Sequence, residues 1–417
     1  MNPAVPSVAS AASVESVASI TPSVSTSPVA RVAVAALRAS KIREVANAGL
    51  GLADVLPFWF GESDQPTPAF IGDAARASIA EGHTFYTHNM GNAPLRAALA
   101  EYATRLHGAT DSENVAVTSG GVSAIMLAAQ LLLGPGDRLV AVTPVWPNLV
   151  EIPTLLGAAV ETVSLDYGPQ GWTLDLDRLL AALTPATRVL LVNSPNNPTG
   201  WVMPRAQQQV VLDHCRRRGI WILADEVYER LYYGADDVAP SFLDLAARDE
   251  RVIAVNSFSK AWRMTGWRLG WAVAPAAVMR DWGKLAEYNT CCAPDFVQRA
   301  GLAAVREGET VAQTLRAELH ARRDHLARGL SQVPGVDVRA AEGAMYLFFR
   351  IAGHVDSLAL CKALVRDAGL GLAPGAAFGD EGEGFVRWCY ASDMSRLDEG
   401  VRRLTRFLEA HPGTAGT

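Results

Sequence analysis

Ser257-Phe258-Ser259-Lys260, followed by Met264-Thr265-Gly266-Trp267-Arg268-Leu269-Gly270, is the stretch on which the reading of this chain turns. Of 37 basic side chains only four are lysine: Lys41, Lys260, Lys284 and Lys362. One of the four stands close behind Arg251-Val252-Ile253-Ala254-Val255-Asn256, an apolar run that reads as a buried strand. A lysine after a strand is ordinarily a solvated loop charge. In a chain that otherwise uses arginine for positive charge, the lysine points to chemistry. A lysine can lose its proton near neutral pH and act as an amine nucleophile, which arginine cannot do.

A Ser-x-x-Lys tetrad also marks serine β-lactamases and penicillin-binding proteins, where the serine attacks, but these carry a Lys-Thr-Gly element as well. No lysine here is followed by threonine. The lysine, rather than the serine, is therefore the candidate reactive group.

Working outward, short apolar β-like runs alternate with longer helix-like runs from about residue 113, the pattern of a mostly parallel sheet covered by helices. Val115-Ala-Val117 leads into a helix-like 121–133, Arg138-Leu-Val-Ala-Val142 to Pro144-Val-Trp146, and Arg188-Val-Leu-Leu-Val192 to Asn193. Ile220-Trp-Ile-Leu223 leads to Asp225, and Val252-Ile-Ala-Val255 to the lysine tetrad. In each case polar or glycine-rich residues follow the strand's carboxyl end, where ligands bind in open α/β sheets. A helical stretch over 275–333 then changes the rhythm. Beyond it, Val336-Asp-Val338, Met345-Tyr-Leu-Phe-Phe349 and Gly384-Phe-Val-Arg-Trp388 alternate with helix-like 357–367 and 394–410, an α+β pattern fitting a smaller domain.

Each strand end carries a group that a phosphorylated aromatic cofactor needs. Thr118-Ser119-Gly120-Gly121 precedes a helix, so backbone N–H groups and the helix dipole can present an anion site. Trp146, between Pro144 and Pro147, offers a flat face for stacking. Asn193-Ser-Pro-Asn-Asn-Pro-Thr-Gly200 reads as a turn whose amides can donate to a ligand oxygen. Asp225 follows four apolar residues, so its carboxylate is expected at the buried end of a strand in need of a partner.

The composition narrows the classes further. At 417 residues two to three domain-sized units are expected, and 49% hydrophobic residues suit a well-buried globule. A formal charge of -6 gives no electrostatic case for nucleic acid, and no apolar run is long enough for a membrane span. Five cysteines without regular spacing imply neither a disulfide framework nor a zinc site and fit a reducing cytoplasm. The Ser/Ala/Val/Pro tract over 1–30 has no basic residue and reads as a disordered tail rather than a signal or transit peptide.

Ser40-Lys41-Ile42-Arg43-Glu44, Gly61-Glu62, Asn-Pro-Thr-Gly, Asp-x-x-Tyr, Ser-x-x-Lys and Arg387 occur here in an order that resembles the class I/II aminotransferases, fold-type I pyridoxal 5′-phosphate (PLP) enzymes, over about residues 40–410. The resemblance implies an α/β fold: a large domain with a mostly parallel seven-stranded sheet between helices, plus a smaller α+β domain. The expected layout is an N-terminal segment over 31–63, a large PLP-binding domain over 64–290, a small domain over 291–412 and a tail over 413–417. It also implies roles. Lys260 forms the internal aldimine and then moves the proton, Asp225 keeps the pyridine nitrogen protonated, and Asn197 and Tyr228 bond the phenolic oxygen. Ser119, Gly120, Gly121, Ser257 and Arg268 hold the phosphate, Trp146 covers the ring, and Tyr86 reaches the phosphate of a neighbouring subunit in a homodimer with shared active sites. Arg387, with Asn197 and Gly61, clamps the substrate α-carboxylate; no metal is expected.

The implied reaction is ping-pong transfer of an amino group from an L-amino acid to a 2-oxo acid. β-Lyase or amino-acid oxidase chemistry uses almost the same residues, and a PLP sensor of the transcription-regulator type would require a DNA-binding domain that the short tract at 1–30, with Glu15 its one charged side chain, cannot form. Acid-specific relatives often carry a lysine where this chain has Val122, which counts against a dedicated aspartate enzyme. Trp59, Phe60 and Trp388 lie near Gly61 and Arg387 in sequence and suggest a neutral or aromatic amino donor. Met345 replaces an aromatic in the turn Gly343-Ala344-Met345-Tyr346.

Overall fold

Seven strands form the central sheet: β1 (Val115–Thr118), β2 (Arg138–Thr143), β3 (Ala159–Ser164), β4 (Thr187–Asn193), β5 (Trp221–Asp225), β6 (Val252–Ser257) and β7 (Gly270–Val273). The order is β1-β7-β6-β5-β4-β2-β3, with every pair parallel except those of β7, which runs antiparallel to β1 and β6. The computed structural model describes residues 30–413. Apart from Ala30 and Gly413, the expected tails at 1–30 and 413–417 lie outside the described residues. Ahead of Leu37, a separate unit contains the short helix Val32–Ala35; residues from Leu37 onward form one compact unit.

The inner strands are apolar on both faces because helices cover both, as parallel sheets require. Along β4, Val189 and Leu191 join one core with Leu139, Ala141, Leu223 and Ile253, while Leu190 and Val192 join the opposite core with Val140, Val142 and Ile222. Alternate side chains of a strand point to opposite faces, so a continuous apolar run is what a two-sided burial selects. Helices Gly121–Leu132 and Ala276–Glu287 supply the first core, and Ala93–His107 and Arg205–Arg218 the second.

Register then places the polar residues. Asn193 at the end of β4 sits opposite Asp225 at the end of β5, and β6 ends at Ser257, three residues before Lys260. These ends open on the same edge of the sheet.

A four-stranded antiparallel sheet follows, with β8 (Val336–Asp337), β9 (Tyr346–Ile351), β10 (Ala373–Pro374) and β11 (Phe385–Cys389) in the order β8-β9-β11-β10. Helices Ser357–Ala368 and Met394–Ala410 pack on it, with Leu360, Leu364, Leu397 and Leu404 in its core. The N-terminal segment belongs to the same core through Ile42, Val45 and Phe58, and Leu56–Pro57 pairs parallel with Leu370–Gly371. The expected helical stretch over 275–333 is three helices, Ala276–Glu287, Asp295–Glu307 and Glu309–Ser331. Pro294 precedes the second, and Gly308 separates the last two where a side chain would meet Trp262.

Candidate active site

A cavity of about 650 Å³ lies where the strand ends of the large sheet meet the small sheet and the N-terminal segment. Of the residues singled out from sequence, Gly61, Gly121, Trp146, Asn197, Asp225, Tyr228, Ser257, Lys260, Arg268 and Arg387 all line it. Contributions separated by more than 300 residues thus converge on one volume.

Lys260 lies in the short helix Phe258–Ala261, capped by Ser257, whose Oγ accepts the Ser259 N–H at 3.1 Å. Its Nζ donates to the Gly61 carbonyl at 2.6 Å and stands 5.4 Å from the centre of the Tyr228 ring. Burial lowers its pKa to about 8; Cys389, Glu62 and Asp225 pull the other way, while Arg387 adds to the lowering. Near neutral pH an appreciable fraction of this amine is therefore unprotonated, as a nucleophile must be.

Asp225 is 4% exposed. Its Oδ1 accepts the Val227 backbone N–H at 3.3 Å, which is the carboxylate's one hydrogen bond among the described residues. Burial raises its pKa to about 7 against the lowering effects of that bond and of Lys260. A carboxyl held this way needs a proton or a cation, and a protonated ring nitrogen supplies both a charge and a donor.

The helix Gly121–Leu132 begins beside Arg268, and its first N–H groups lack intrahelical acceptors. Arg268 donates Nη1 to the Thr265 carbonyl at 2.7 Å, a neutral partner, and pairs with no carboxylate among the described residues. Gly120 has φ +98°, and a Cβ there would come within 2.5 Å of the Arg268 guanidinium. The cation, the helix start and the Ser257 hydroxyl make a cradle suited to a phosphate. Ser119 and Gly120 shape this end without lining the cavity; the Ser119 hydroxyl donates to Thr290 Oγ1 at 3.4 Å, and the Gly120 N–H is taken by the Thr118 carbonyl at 2.8 Å.

At the opposite end Arg387 is 2% exposed. Its Nη1 donates to Asn197 Oδ1 at 2.8 Å and its Nη2 to the Trp59 carbonyl, while Nε has no partner. The guanidinium lies between the rings of Tyr346 (4.3 Å) and Phe378 (4.8 Å). Neutral partners and two aromatic faces leave its charge unmatched, which suits an incoming carboxylate.

Tyr346 is the main residue the sequence reading missed. It lines the cavity, its hydroxyl is 2.7 Å from that of Tyr228, and a side chain at Gly61 would collide with it. Met345, to which the sequence drew attention, is buried in the small-sheet core instead. A tyrosine within the apolar run 345–349 was the available signal, because a buried hydroxyl must find a partner. Of the three aromatics expected near the substrate, Phe60 lines the cavity. Trp59 contributes its carbonyl, and Trp388 is packed on Phe58 at 4.9 Å between ring centres. Tyr86 is 89% exposed and lies outside this cavity.

Residues 53–404 match the sequence profile of the family described as aminotransferase class I and II. The chain belongs to the class I and II aminotransferases. It is similar to the aspartate aminotransferase of Pyrococcus horikoshii, with 34% identity over 89% of this chain and 95% of that one. It is also similar to an aromatic-amino-acid aminotransferase of Thermococcus litoralis, with 31% identity over 89% of this chain and 96% of the relative. The solved structure of Thermus thermophilus aspartate aminotransferase with maleate superposes with a TM-score of 0.84 at 31% identity, covering 92% of this chain and all of the other. The aminotransferase family implies dependence on PLP, and the expected α/β architecture with a seven-stranded mixed sheet is the one found. Among the described residues no helix is long and apolar enough to cross a membrane, and no metal-ligating cluster occurs.

Proposed function

We propose that this aminotransferase moves an amino group from an L-amino acid to a 2-oxo acid in two half-reactions at one site, with Lys260 as both the attachment point of PLP and the proton carrier. The observation that carries the reading is the convergence on one cavity of an amine with a lowered pKa, a buried carboxyl with no ion-pair partner among the described residues, and two arginines with neutral partners. PLP, when bound, supplies an electron sink for the charge left at the substrate Cα.

The chain's own residues supply the rest. Asp225 would hold the proton on the ring nitrogen. Arg268, Ser257 and the start of helix Gly121–Leu132 would hold the phosphate, with Ser119 and Gly120 shaping the turn, and Trp146 would cover the ring. Asn197 and Tyr228 donate to the phenolic oxygen, the latter hydroxyl being oriented by Tyr346. Arg387 binds the substrate α-carboxylate, and Lys260 Nζ takes the proton from Cα and returns it on the other side of the transfer.

Ile42, Phe60, Val122, Ile125 and Tyr346 bring apolar side chains to a wall that also carries Ser40, Arg43, Glu62 and Asn148, and these apolar groups support a neutral or aromatic amino donor. The lining comes from residues up to 62, from 121–268 and from 346–387, which supports the division into an N-terminal segment, a large domain and a small domain. The exposed Phe85 and Tyr86 support a homodimer in which Tyr86 serves the neighbouring site, and five free cysteines support a reducing, cytoplasmic setting.

The test is a half-reaction screen. PLP-loaded protein is mixed with aromatic, neutral and acidic amino acids in turn, and conversion to the pyridoxamine form is followed by absorbance, with a 2-oxo acid added to reverse it. Keto acid accumulating with ammonia or peroxide, and no pyridoxamine form, would replace transamination by elimination or oxidation.

Two further outcomes follow from single side chains. Gly120→Ala forces a Cβ into a backbone region open essentially to glycine and against Arg268, so stability should fall by about 1–3 kcal/mol. PLP affinity should fall by about tenfold or more as the guanidinium is displaced; thermal unfolding and PLP titration measure the two.

Asp225 gives a pH signature in the cofactor-free protein. Its folded pKa of about 7 exceeds the ordinary 3.8, so the folded state binds the proton more tightly and stability declines as pH rises from about 4 through 7. Asp225→Asn should therefore match wild type near pH 4 and exceed it by about 2–4 kcal/mol at neutral pH. Denaturant unfolding of the two apo-proteins across that range is the check, and parallel curves would refute it.

A further inference from the structure

The turn after β5 has two faces. Asp225 and Tyr228 line the cavity, whereas Glu226 and Glu229, also three residues apart, are buried behind it. Glu226 accepts the Ser241 hydroxyl at 2.7 Å and the Phe242 N–H at 3.2 Å. Glu229 accepts from Nε2 of His107 at 3.0 Å and from the Tyr102 hydroxyl at 3.4 Å. The same strand end thus presents its reactive groups forward and two acids backward.

His107 is the last residue of helix Ala93–His107, and its Nδ1 lies 2.8 Å from Asp244 Oδ1. A carboxylate on each ring nitrogen requires both to donate, which only the imidazolium does. Burial works against that charge, yet the hydrogen bonds to Asp244 and Glu229 outweigh it and lift the His107 pKa to about 10. The carbonyl end of the helix favours the cation further.

The surrounding charges are already committed. Arg205 Nη1 donates to Asp244 Oδ2 at 3.1 Å, Arg230 pairs with Glu309, and Arg248 Nη2 donates to the His107 carbonyl at 3.1 Å. His107 is therefore the cation that answers Glu229 directly, and it acts on Glu226 through space together with Arg248.

We propose that His107 is a positioning residue for amino transfer: as a buried cation between Glu229 and Asp244 it locks the back of the 226–229 turn and so fixes where Asp225 and Tyr228 meet the cofactor. The inference rests on the roles proposed above for those two residues. Removing the cation leaves Glu229 buried with no ion-pair partner among the described residues, a strongly unfavourable state that the turn relieves by shifting. Such a shift moves Asp225 and Tyr228, which share its backbone.

The experiment compares PLP-loaded wild type, His107→Gln and His107→Gln/Glu229→Gln by pH titration of the bound-cofactor absorbance, PLP affinity and steady-state kinetics. In His107→Gln the titration midpoint should move by about half a unit or more. PLP affinity should fall at least about tenfold, and kcat should drop by a larger factor than KM rises. The double variant removes both charges while keeping a neutral hydrogen-bonding pair, and should recover most of the midpoint and affinity. A single variant that titrates and binds like wild type, or a double variant that recovers neither, overturns the inference. If the single variant does not fold, the double decides, since it must fold with a near-normal titration; an unfolded double also overturns the inference. Wild type that shows no bound-cofactor absorbance would instead refute the functional reading beneath it.

Discussion

Replacing Lys260 by alanine is expected to lower kcat by at least about 10²- to 10⁴-fold, the contribution of a positioned general base alone, with loss of covalent attachment added to it. Lys260 is the one lysine lining the cavity, and its amine is held between the Gly61 carbonyl and the Tyr228 ring. Lys260→Arg should restore nothing, because guanidinium stays protonated and is not a nucleophile at these pH values. The lowered pKa gives a second readout. Covalent capture of PLP by the cofactor-free protein should accelerate as pH rises and level off above about 8, the value burial imposes, rather than near the ordinary 10.5. Stopped-flow absorbance across pH 6–10 measures that profile, and borohydride reduction followed by peptide mapping places the label. Full activity in Lys260→Ala would dispose of the mechanism.

The residues that could be read in advance are those whose position follows from a strand end. A parallel strand is a run of apolar residues that stops at the edge of the core, so the first polar residue after it is delivered to the crevice. Asn193, Asp225 and the Ser257–Lys260 tetrad were legible for that reason. β3 was not, because it lies at the sheet edge, where Glu161 and Thr162 interrupt the apolar run without cost. β7 was hidden for the opposite reason: its four residues follow Arg268 so closely that the motif obscured the strand.

The partnerships were less legible still. Tyr346 and His107 act through contacts with residues far away in the chain, and no local period announces such a pairing. Trp388 illustrates the converse, since nearness in sequence to Arg387 placed it on the other face of β11, in the core. Adjacent strand residues point to opposite sides, so a neighbour of a site residue is more readily a packing residue than a second site residue.

Arg387→Ala should raise KM for the amino donor by about 30- to 5,000-fold, as expected for truncating a buried charged partner worth roughly 2–5 kcal/mol, with a smaller change in kcat. Asn197 and the Trp59 carbonyl hold the guanidinium through Nη1 and Nη2, and the rings of Tyr346 and Phe378 pack against it, which leaves the remaining N–H groups for a carboxylate. Arg387→Lys keeps the charge but loses the planar fork, and should recover less than a tenth of the lost affinity if bidentate binding supplies most of it. A simple loss of packing would behave differently, since it would weaken every ligand of the cavity alike. The discriminating substrate is therefore an amine that lacks the α-carboxylate. Its slow reaction with wild type should be nearly unchanged in Arg387→Ala, because the interaction removed is one it never made. Equal losses for the amino acid and the amine would assign Arg387 to scaffolding instead of substrate binding.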